Sequence, residues 1–131
     1  MATIFSKIIA GEIPSYKIAE DAENYAFLDI NPLSAGHTLV VPKVEVDYLF
    51  DLSAERLSSL TLFAQRVAKA QKAALGCGRV GVAVLGFDVP HAHIHLVPMD
   101  DEGTLNFKNP RVKLTEQEFK EVAARIAAKM E

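Results

Sequence analysis

The chain has 131 residues, half of them apolar, and a net charge of -3 at neutral pH. This length is typical of one compact domain that buries a core without disulfides, and we expect residues 1–131 to form it. The basic residues are scattered, which argues against a surface that binds duplex nucleic acid. No apolar run approaches the roughly 18 residues of a membrane span. With a single cysteine, Cys77, these features predict a cytoplasmic protein without membrane contact.

The first part of the chain predicts one short helix followed by strands. Apolar residues recur at helical spacing before Gly11, which indicates a short opening helix. Three segments rich in β-branched and aromatic residues then predict strands, and the first two flank a polar turn typical of a hairpin. These segments are 16–19, 25–30 and 37–41.

A long helix and a closing helix are the clearest elements of the remaining sequence. The long helix is expected from the N-cap Ser53 to Ala74, and glycines follow it. Its apolar stripe consists of Leu57, Leu60, Phe63, Ala64, Val67, Ala70 and Ala74. A capping box at Thr115 to Glu118 opens the C-terminal helix. The stripe of that helix consists of Phe119, Val122, Ala123, Ile126 and Met130.

Between these helices, two further strands are expected at 80–85 and 93–97. The tight connection 86–90 is too short for a parallel crossover, so the pair should be antiparallel and the second strand central. Segment 100–113 is charged and irregular. The pattern therefore predicts an α+β fold: an antiparallel β-sheet with one long helix, a short N-terminal helix and a C-terminal helix.

Three of the four histidines lie at alternate positions, His91, His93 and His95. Side chains alternate between the faces of an extended strand, so all three imidazoles should line one side, and the apolar residues between them should face the core. Imidazole titrates near neutral pH, attacks electrophiles and binds metals, which makes the chain a candidate enzyme. On the residues alone a zinc site stays open, whereas a purely structural role would require a hydrogen-bond partner for every buried ring.

The histidine segment is similar to the signature of the histidine triad (HIT) family, His-φ-His-φ-His-φ-φ with φ apolar. Residues 91–97 match it throughout, and three other segments resemble the family in its order: 5–14, 26–32 and 36–43. The resemblance covers nearly residues 3–99. It implies a HIT-like fold, a two-fold homodimer and a nucleotidyl hydrolase or transferase that acts at the α-phosphate of a small nucleotide.

The resemblance also implies catalytic roles for all four histidines. His93 is the expected nucleophile, which forms a nucleotidyl-histidine that water then hydrolyses. His95 is expected to contact the phosphate and to help protonate the leaving group. His91 and His37 are expected to orient His93 or to relay its proton.

Nucleotide-binding residues follow from the same resemblance. Those expected around the base are Ile8, Phe27 and Ile30, and those expected at the phosphate are Gly86, Asp88 and Val89. Asp29 should accept hydrogen bonds from the ribose hydroxyls, although by itself it could simply cap the turn after it. Asp88 replaces a small hydroxyl residue of the family. We expect its carboxylate to turn away from the phosphate, either to accept backbone N–H bonds in the turn or to orient a histidine. A carboxylate that faced the phosphate would oppose binding and make catalysis slow.

The expected function is hydrolysis at the α-phosphate of a nucleoside 5′-phosphoramidate or a related purine nucleotide. Two alternatives stay open, a dinucleoside polyphosphate hydrolase and a nucleotide-binding regulatory or scaffold protein with little turnover. One cysteine and one histidine strand leave no closed coordination set, so neither a metal nor another cofactor is expected. A metal-dependent hydrolase would be sensitive to chelators. The wide apolar stripe of the long helix also favours a homodimer.

Overall fold

A computed structural model describes residues 2–131 as a five-stranded antiparallel sheet with helices on both faces. The helices are α1 Ile4–Ile9, α2 Ala54–Leu75 and α3 Glu116–Ala127. The strands are β1 Lys17–Glu20, β2 Asn24–Leu28, β3 Thr38–Pro42, β4 Arg79–Ala83 and β5 Ile94–Met99. Within these residues, no helix is long and apolar enough to cross a membrane. The α+β fold with its three helices is therefore confirmed.

The larger core lies where α2 and α3 cover one face of the sheet. Leu60 and Val67 of α2 and Ile126 of α3 are fully buried there against β2, β3 and β5. The predicted caps also form: Ser53 and Thr115 accept bonds from backbone N–H groups, and the Thr115 cap is a complete capping box. The predicted limits of α2 are correct to within one residue, whereas α3 ends at Ala127, before Met130 of its predicted stripe.

Alternate residues of β2 and β3 face the opposite side, where α1 covers a smaller apolar cluster. That cluster consists of Phe5, Ile8, Tyr25, Phe27, Leu39 and Val41. Because only one short helix covers this face, part of the sheet remains open to solvent beside α1. The candidate site lies there.

The strand order is β1-β2-β3-β5-β4. β5 pairs antiparallel with both β3 and β4, so it lies inside the sheet but next to its edge. The strand begins at Ile94, and of the three clustered histidines only His95 belongs to it. The predicted start at His93 was wrong because Pro90 interrupts pairing and the N–H of Ala92 bonds outside the sheet, to the carbonyl of Val46.

The predicted strand 80–85 was too long at its C-terminal end. It ends at Ala83, and residues 84–93 form a longer connection to β5. Val82 and Leu85 are mostly exposed because β4 is an edge strand. A continuous apolar run does not distinguish a buried strand from an edge strand that has an apolar outer face.

Candidate active site

A cavity of about 520 Å³ opens beside α1, between the ends of β2 and β5 and the segment that follows β5. This volume is typical of a small-molecule site. Most of the residues predicted to bind the nucleotide or act on it line the cavity. They are Ile8, Phe27, Asp29, Ile30, Asp88, Val89, His93 and His95. His37, His91 and Gly86 lie outside this lining.

The four histidines and one phenylalanine form a continuous row, which we call the histidine row. Ring centroids are 5.2 Å apart between His37 and His95, 5.0 Å between His95 and His93, and 5.0 Å between His93 and Phe5. Phe5 in turn lies 5.8 Å from His91. All four imidazoles are buried. His37 lies in the loop before β3, at least 54 positions from the other three histidines in the sequence (91 − 37 = 54). The fold brings it beside β5.

Backbone contacts determine which nitrogen of His37 and His95 carries the proton. The N–H of Leu33 donates to Nδ1 of His37 over 3.0 Å, so this nitrogen is an acceptor and Nε2 carries the hydrogen. That Nε2–H donates to Nδ1 of His95, also over 3.0 Å. In neutral His95, the proton therefore lies on Nε2. His95 faces the cavity as a hydrogen-bond donor.

The opposite tautomer is selected at His93. Its Nδ1 lies 2.7 Å from the carbonyl oxygen of His91, which can only accept. Nδ1 therefore carries the proton of a neutral ring, and Nε2 keeps its lone pair. His93 lines the cavity, so an unprotonated ring nitrogen is available at its wall.

His91 lies behind the site and contacts side chains of α1. Its Nε2 donates to the carbonyl of Pro42 over 2.8 Å, and its Nδ1 lies 2.8 Å from the hydroxyl of Thr3. Ser6 and Glu45 continue this contact: Ser6 donates to Glu45 Oε1 over 2.6 Å. Thr3, Ser6 and Glu45 were not predicted as site residues, since hydroxyl and carboxylate residues are common at helix starts and loops.

Burial is the main cause of the low pKa of three of these rings. It lowers the pKa of His37, His91 and His95 below the usual value of 6.5. The cationic Arg111 lowers the pKa of His37 and His95 further, and the other histidines contribute at His95. All three rings are therefore neutral at pH 7, as the tautomer assignments require.

Asp29 has a structural contact and also faces the site. Its Oδ1 accepts from the N–H of Asn31 over 2.8 Å, so it does cap the turn that follows β2. Its Oδ2 lies 3.7 Å from Nε2 of His37 and the residue lines the cavity. One oxygen therefore holds the turn while the other stays available to a ligand.

The connection before β5 differs from our expectation at Asp88. We expected its carboxylate to accept backbone N–H bonds in the turn, but none of the described residues donates to it. Asp88 is exposed and lines the cavity together with Val89. Gly86 has a positive φ of 97°, which favours glycine. Gly86 shapes the path of the loop and does not line the cavity.

Phe107 and Arg111 are among the lining residues that sequence reasoning missed. The Phe107 ring lies 4.8 Å from that of His95, edge to face. Arg111 donates to the carbonyl of Asn31 over 2.8 Å and lies over the Phe107 ring. No carboxylate of residues 2–131 forms an ion pair with Arg111. An aromatic residue in an otherwise charged segment was the available signal, because it needs an apolar surface to pack against.

One group of side chains has the spacing of a metal site: Asp29, His37 and His95 lie with ligand atoms within 4.8 Å of one another. The hydrogen bonds do not fit a metal there. His37 uses the Nδ1 lone pair to accept from Leu33, so its Nε2 carries a hydrogen and points to His95. A metal ion on Nε2 of His37 would displace that proton. Both ring nitrogens would then lack a hydrogen, and the ring would be an anionic imidazolate.

Comparison with known proteins agrees with this geometry. The family model described as "HIT domain" matches residues 10–102. The adenosine 5′-monophosphoramidase of Saccharomyces cerevisiae is 41% identical over 102 residues, which cover 77% of this chain and 65% of the yeast protein. The adenosine 5′-monophosphoramidase of Schizosaccharomyces pombe is 33% identical over 136 residues, which cover 99% of each chain.

A solved structure extends the likeness to the fold. The zinc-bound histidine triad family protein of Mycobacterium smegmatis superposes with a TM-score of 0.81 at 30% identity, and the match covers 98% of this chain and 95% of that one. The matched residues contain all four histidines of the row, and the Mycobacterium structure shares the fold. This chain therefore belongs to the HIT family and is an enzyme of the histidine triad type.

Proposed function

We propose that this enzyme hydrolyses nucleoside 5′-phosphoramidates at the α-phosphate through a covalent bond to His93. The observation that carries the proposal is the hydrogen bond from His93 Nδ1 to the carbonyl of His91, which leaves Nε2 unprotonated beside the cavity. An uncharged imidazole nitrogen with a free lone pair is a competent nucleophile for phosphorus. The names of the two yeast relatives support this class of substrate.

The reaction proceeds in two displacements. Nε2 of His93 attacks the α-phosphorus, the P–N bond of the substrate breaks, and its electron pair stays on the leaving amine, which takes up a proton. Water then attacks the same phosphorus and releases a proton to the solvent, the P–Nε2 bond breaks, and its electron pair returns to His93. The products are the free amine and the nucleoside 5′-monophosphate.

His95 stabilises the phosphoryl group by donating its Nε2–H to a phosphate oxygen. Protonation of its Nδ1 would place a second hydrogen against the Nε2–H of His37, 3.0 Å away. We therefore propose that His95 stays neutral and acts as a hydrogen-bond donor, which differs from our expectation that it protonates the leaving group. The proton for the amine then comes from water at the open side of the cavity.

The lining of the cavity offers groups suited to the base and to the sugar of a nucleotide. Phe5, Ile8 and Phe27 provide an apolar surface for a planar base, in agreement with their place in the smaller core cluster. Asp29 directly follows β2, two residues after Phe27, and its free oxygen can accept from ribose hydroxyls. A purine uses this area more fully than a pyrimidine does.

The decisive experiment compares adenosine and guanosine phosphoramidates with dinucleoside polyphosphates, using wild type and His93→Ala. Efficient release of the mononucleotide from the phosphoramidates by wild type alone is expected. Preference for the dinucleotides would indicate a different substrate class. Tight mononucleotide binding with slow turnover of every substrate would indicate a regulatory or scaffold protein, an alternative that the exposed Asp88 at the cavity favours.

We also infer that activity needs no metal, although the Mycobacterium relative binds zinc. The support is the mismatch between a metal and the hydrogen-bonded His37 described above. Prolonged chelation should change the rate by less than about twofold. Loss of activity with recovery on adding zinc would contradict the inference.

A homodimer is the assembly that we propose. β4 is an edge strand, and Val82, Val84, Leu85 and Phe87 in and after it are exposed. An exposed apolar edge favours pairing with a second strand, and a second copy of the same edge pairs by two-fold symmetry. Light scattering at micromolar concentration should give twice the monomer mass. We infer a cytoplasmic location, which the buried free thiol of Cys77 supports.

A further inference from the structure

Behind the histidine row, a set of three side chains links His91 to the protein surface; we call it the polar bridge, and it consists of Thr3, Ser6 and Glu45. Thr3 Oγ1 lies 2.8 Å from His91 Nδ1 and 3.2 Å from Ser6 Oγ. Ser6 Oγ lies 2.6 Å from Glu45 Oε1, which also accepts from the N–H of Thr3 over 2.8 Å. These contacts join residues more than 80 positions apart in the sequence (91 − 6 = 85).

The donors and acceptors of the bridge allow one arrangement for a neutral His91. The carbonyl of Pro42 can only accept, so Nε2 carries the ring hydrogen and Nδ1 is an acceptor. Thr3 has one hydroxyl hydrogen, which is therefore donated to Nδ1. The Glu45 carboxylate takes the hydroxyl hydrogen of Ser6. These bonds to Ser6 and Thr3 hold the pKa of Glu45 below its usual range.

His91 is not part of the cavity lining, so its ring has no direct contact with a ligand there. Its carbonyl, however, is the group that accepts the Nδ1–H of His93. A ring held by Thr3 on one side and Pro42 on the other fixes the position of that carbonyl. Displacement of the His91 ring would move this carbonyl, and the proton of His93 would no longer be fixed on Nδ1.

We propose that Thr3, Ser6 and Glu45 are positioning residues, which hold His91 in its Nε2–H tautomer and thereby direct the lone pair of His93 Nε2 into the cavity. The proposal rests on the proposed function, since it assigns a role in the same reaction. It adds residues of α1 and of the loop after β3 to the machinery. None of the three lines the cavity.

Thr3 has a second role, which the experiment must separate from the first. Its hydroxyl accepts from the N–H of Ser6 as the N-cap of α1. Thr3→Asp keeps this cap but replaces the hydroxyl donor by a carboxylate that cannot donate to His91 Nδ1. Thr3→Ser retains both the cap and the donor. Thr115→Asp makes the same change at the cap of α3, away from the cavity.

With a phosphoramidate as substrate, Thr3→Asp should lower kcat about tenfold or more while KM changes less than about twofold, because a small displacement of a catalytic group costs much of the rate. Thr3→Ser should retain most of the wild-type kcat, and Thr115→Asp should have the same kcat as wild type. In ¹⁵N-histidine-labelled enzyme, the Nδ1 signal of His91 should move from acceptor type to protonated type in Thr3→Asp only. These results together would establish the positioning role.

A Thr3→Asp enzyme that is folded and keeps kcat within twofold of Thr3→Ser would overturn the proposal. Glu45 gives a second test, because Gln keeps an oxygen that can accept from both Thr3 and Ser6, whereas Ala does not. Glu45→Gln should retain kcat and Glu45→Ala should lose it; equal losses would contradict a role based on these hydrogen bonds. If wild type does not hydrolyse phosphoramidates, the proposed function fails, while the ¹⁵N signals still decide how His91 is held.

Discussion

The two ends of the histidine row have the same side chain in different surroundings. Toward one end, where His37 is the last ring, His95 contacts that imidazole and the ring of Phe107, and it faces the cavity. At the other end, His91 contacts a hydroxyl and a carbonyl behind the cavity. Both rings are neutral because they are buried, yet only His95 presents an N–H to a ligand. The comparison shows that the role of each histidine depends on one neighbouring polar group.

Removal of the ring between the two ends should have the largest effect. His93→Ala should lower turnover by about a thousandfold or more, because no other cavity residue offers an unprotonated nitrogen fixed by a carbonyl. Quenched reactions with labelled nucleotide should label wild type and leave the variant unlabelled. Undiminished turnover in the variant would refute the covalent mechanism.

Replacement of His37, which fixes the proton of His95, should have the next largest effect. His37→Ala removes the N–H that fixes the proton of His95 on Nε2, and we expect kcat to fall about a hundredfold. His37→Gln keeps an N–H donor and should recover part of this loss. Single-turnover kinetics measures the chemical step. If Gln is no better than Ala, the hydrogen bond to His95 is not what His37 contributes.

The neutral state of the buried rings predicts that stability falls in acid. The pKa of His37, His91 and His95 is lowered in the folded state, so below pH 6.5 the unfolded chain binds protons that the folded chain does not. Stability is therefore complete above pH 6.5 and is lost as the pH falls toward the folded values. His37 and His95, whose pKa values are lowered to about 4 and about 3, should each cost about 2 kcal/mol of stability between pH 7 and 5.

Urea unfolding at the two pH values measures this loss. The matched comparison is His37→Asn, which has one buried ring fewer and should lose less stability over the same interval. Equal losses in the two proteins would contradict a neutral buried His37 in the folded state.

Replacement of Asp88 should have the smallest effect, and it tests the solvent-exposed side of the cavity. Its exposed carboxylate lines the cavity without a hydrogen-bond donor among the described residues, so Asp88→Ser should strengthen mononucleotide binding several-fold at low salt. The gain should shrink as salt screens the charge. Calorimetry with Asp51→Ser, an exposed aspartate outside the cavity, is the control. Weaker binding in Asp88→Ser would instead indicate that Asp88 holds the loop.

Local patterns in the sequence were sufficient for most of the fold. The stripes of α2 and α3 and their caps at Ser53 and Thr115 depend on residues within a few positions of one another, so periodicity reveals them. The alternation around the three clustered histidines likewise predicted that Ala92 and Ile94 face the core, where they are buried. The family resemblance added His37, which no local pattern singles out.

The proton positions that make the row chemically specific were decided only by the tertiary structure. The groups that select them are Leu33 N–H for His37, the His91 carbonyl for His93 and the Pro42 carbonyl for His91. Backbone groups are the same in every sequence, so residue types cannot reveal which of them meets a ring nitrogen. For the same reason the sequence by itself determined that the chain has a histidine site, whereas only packing over long separations determined how each histidine is used.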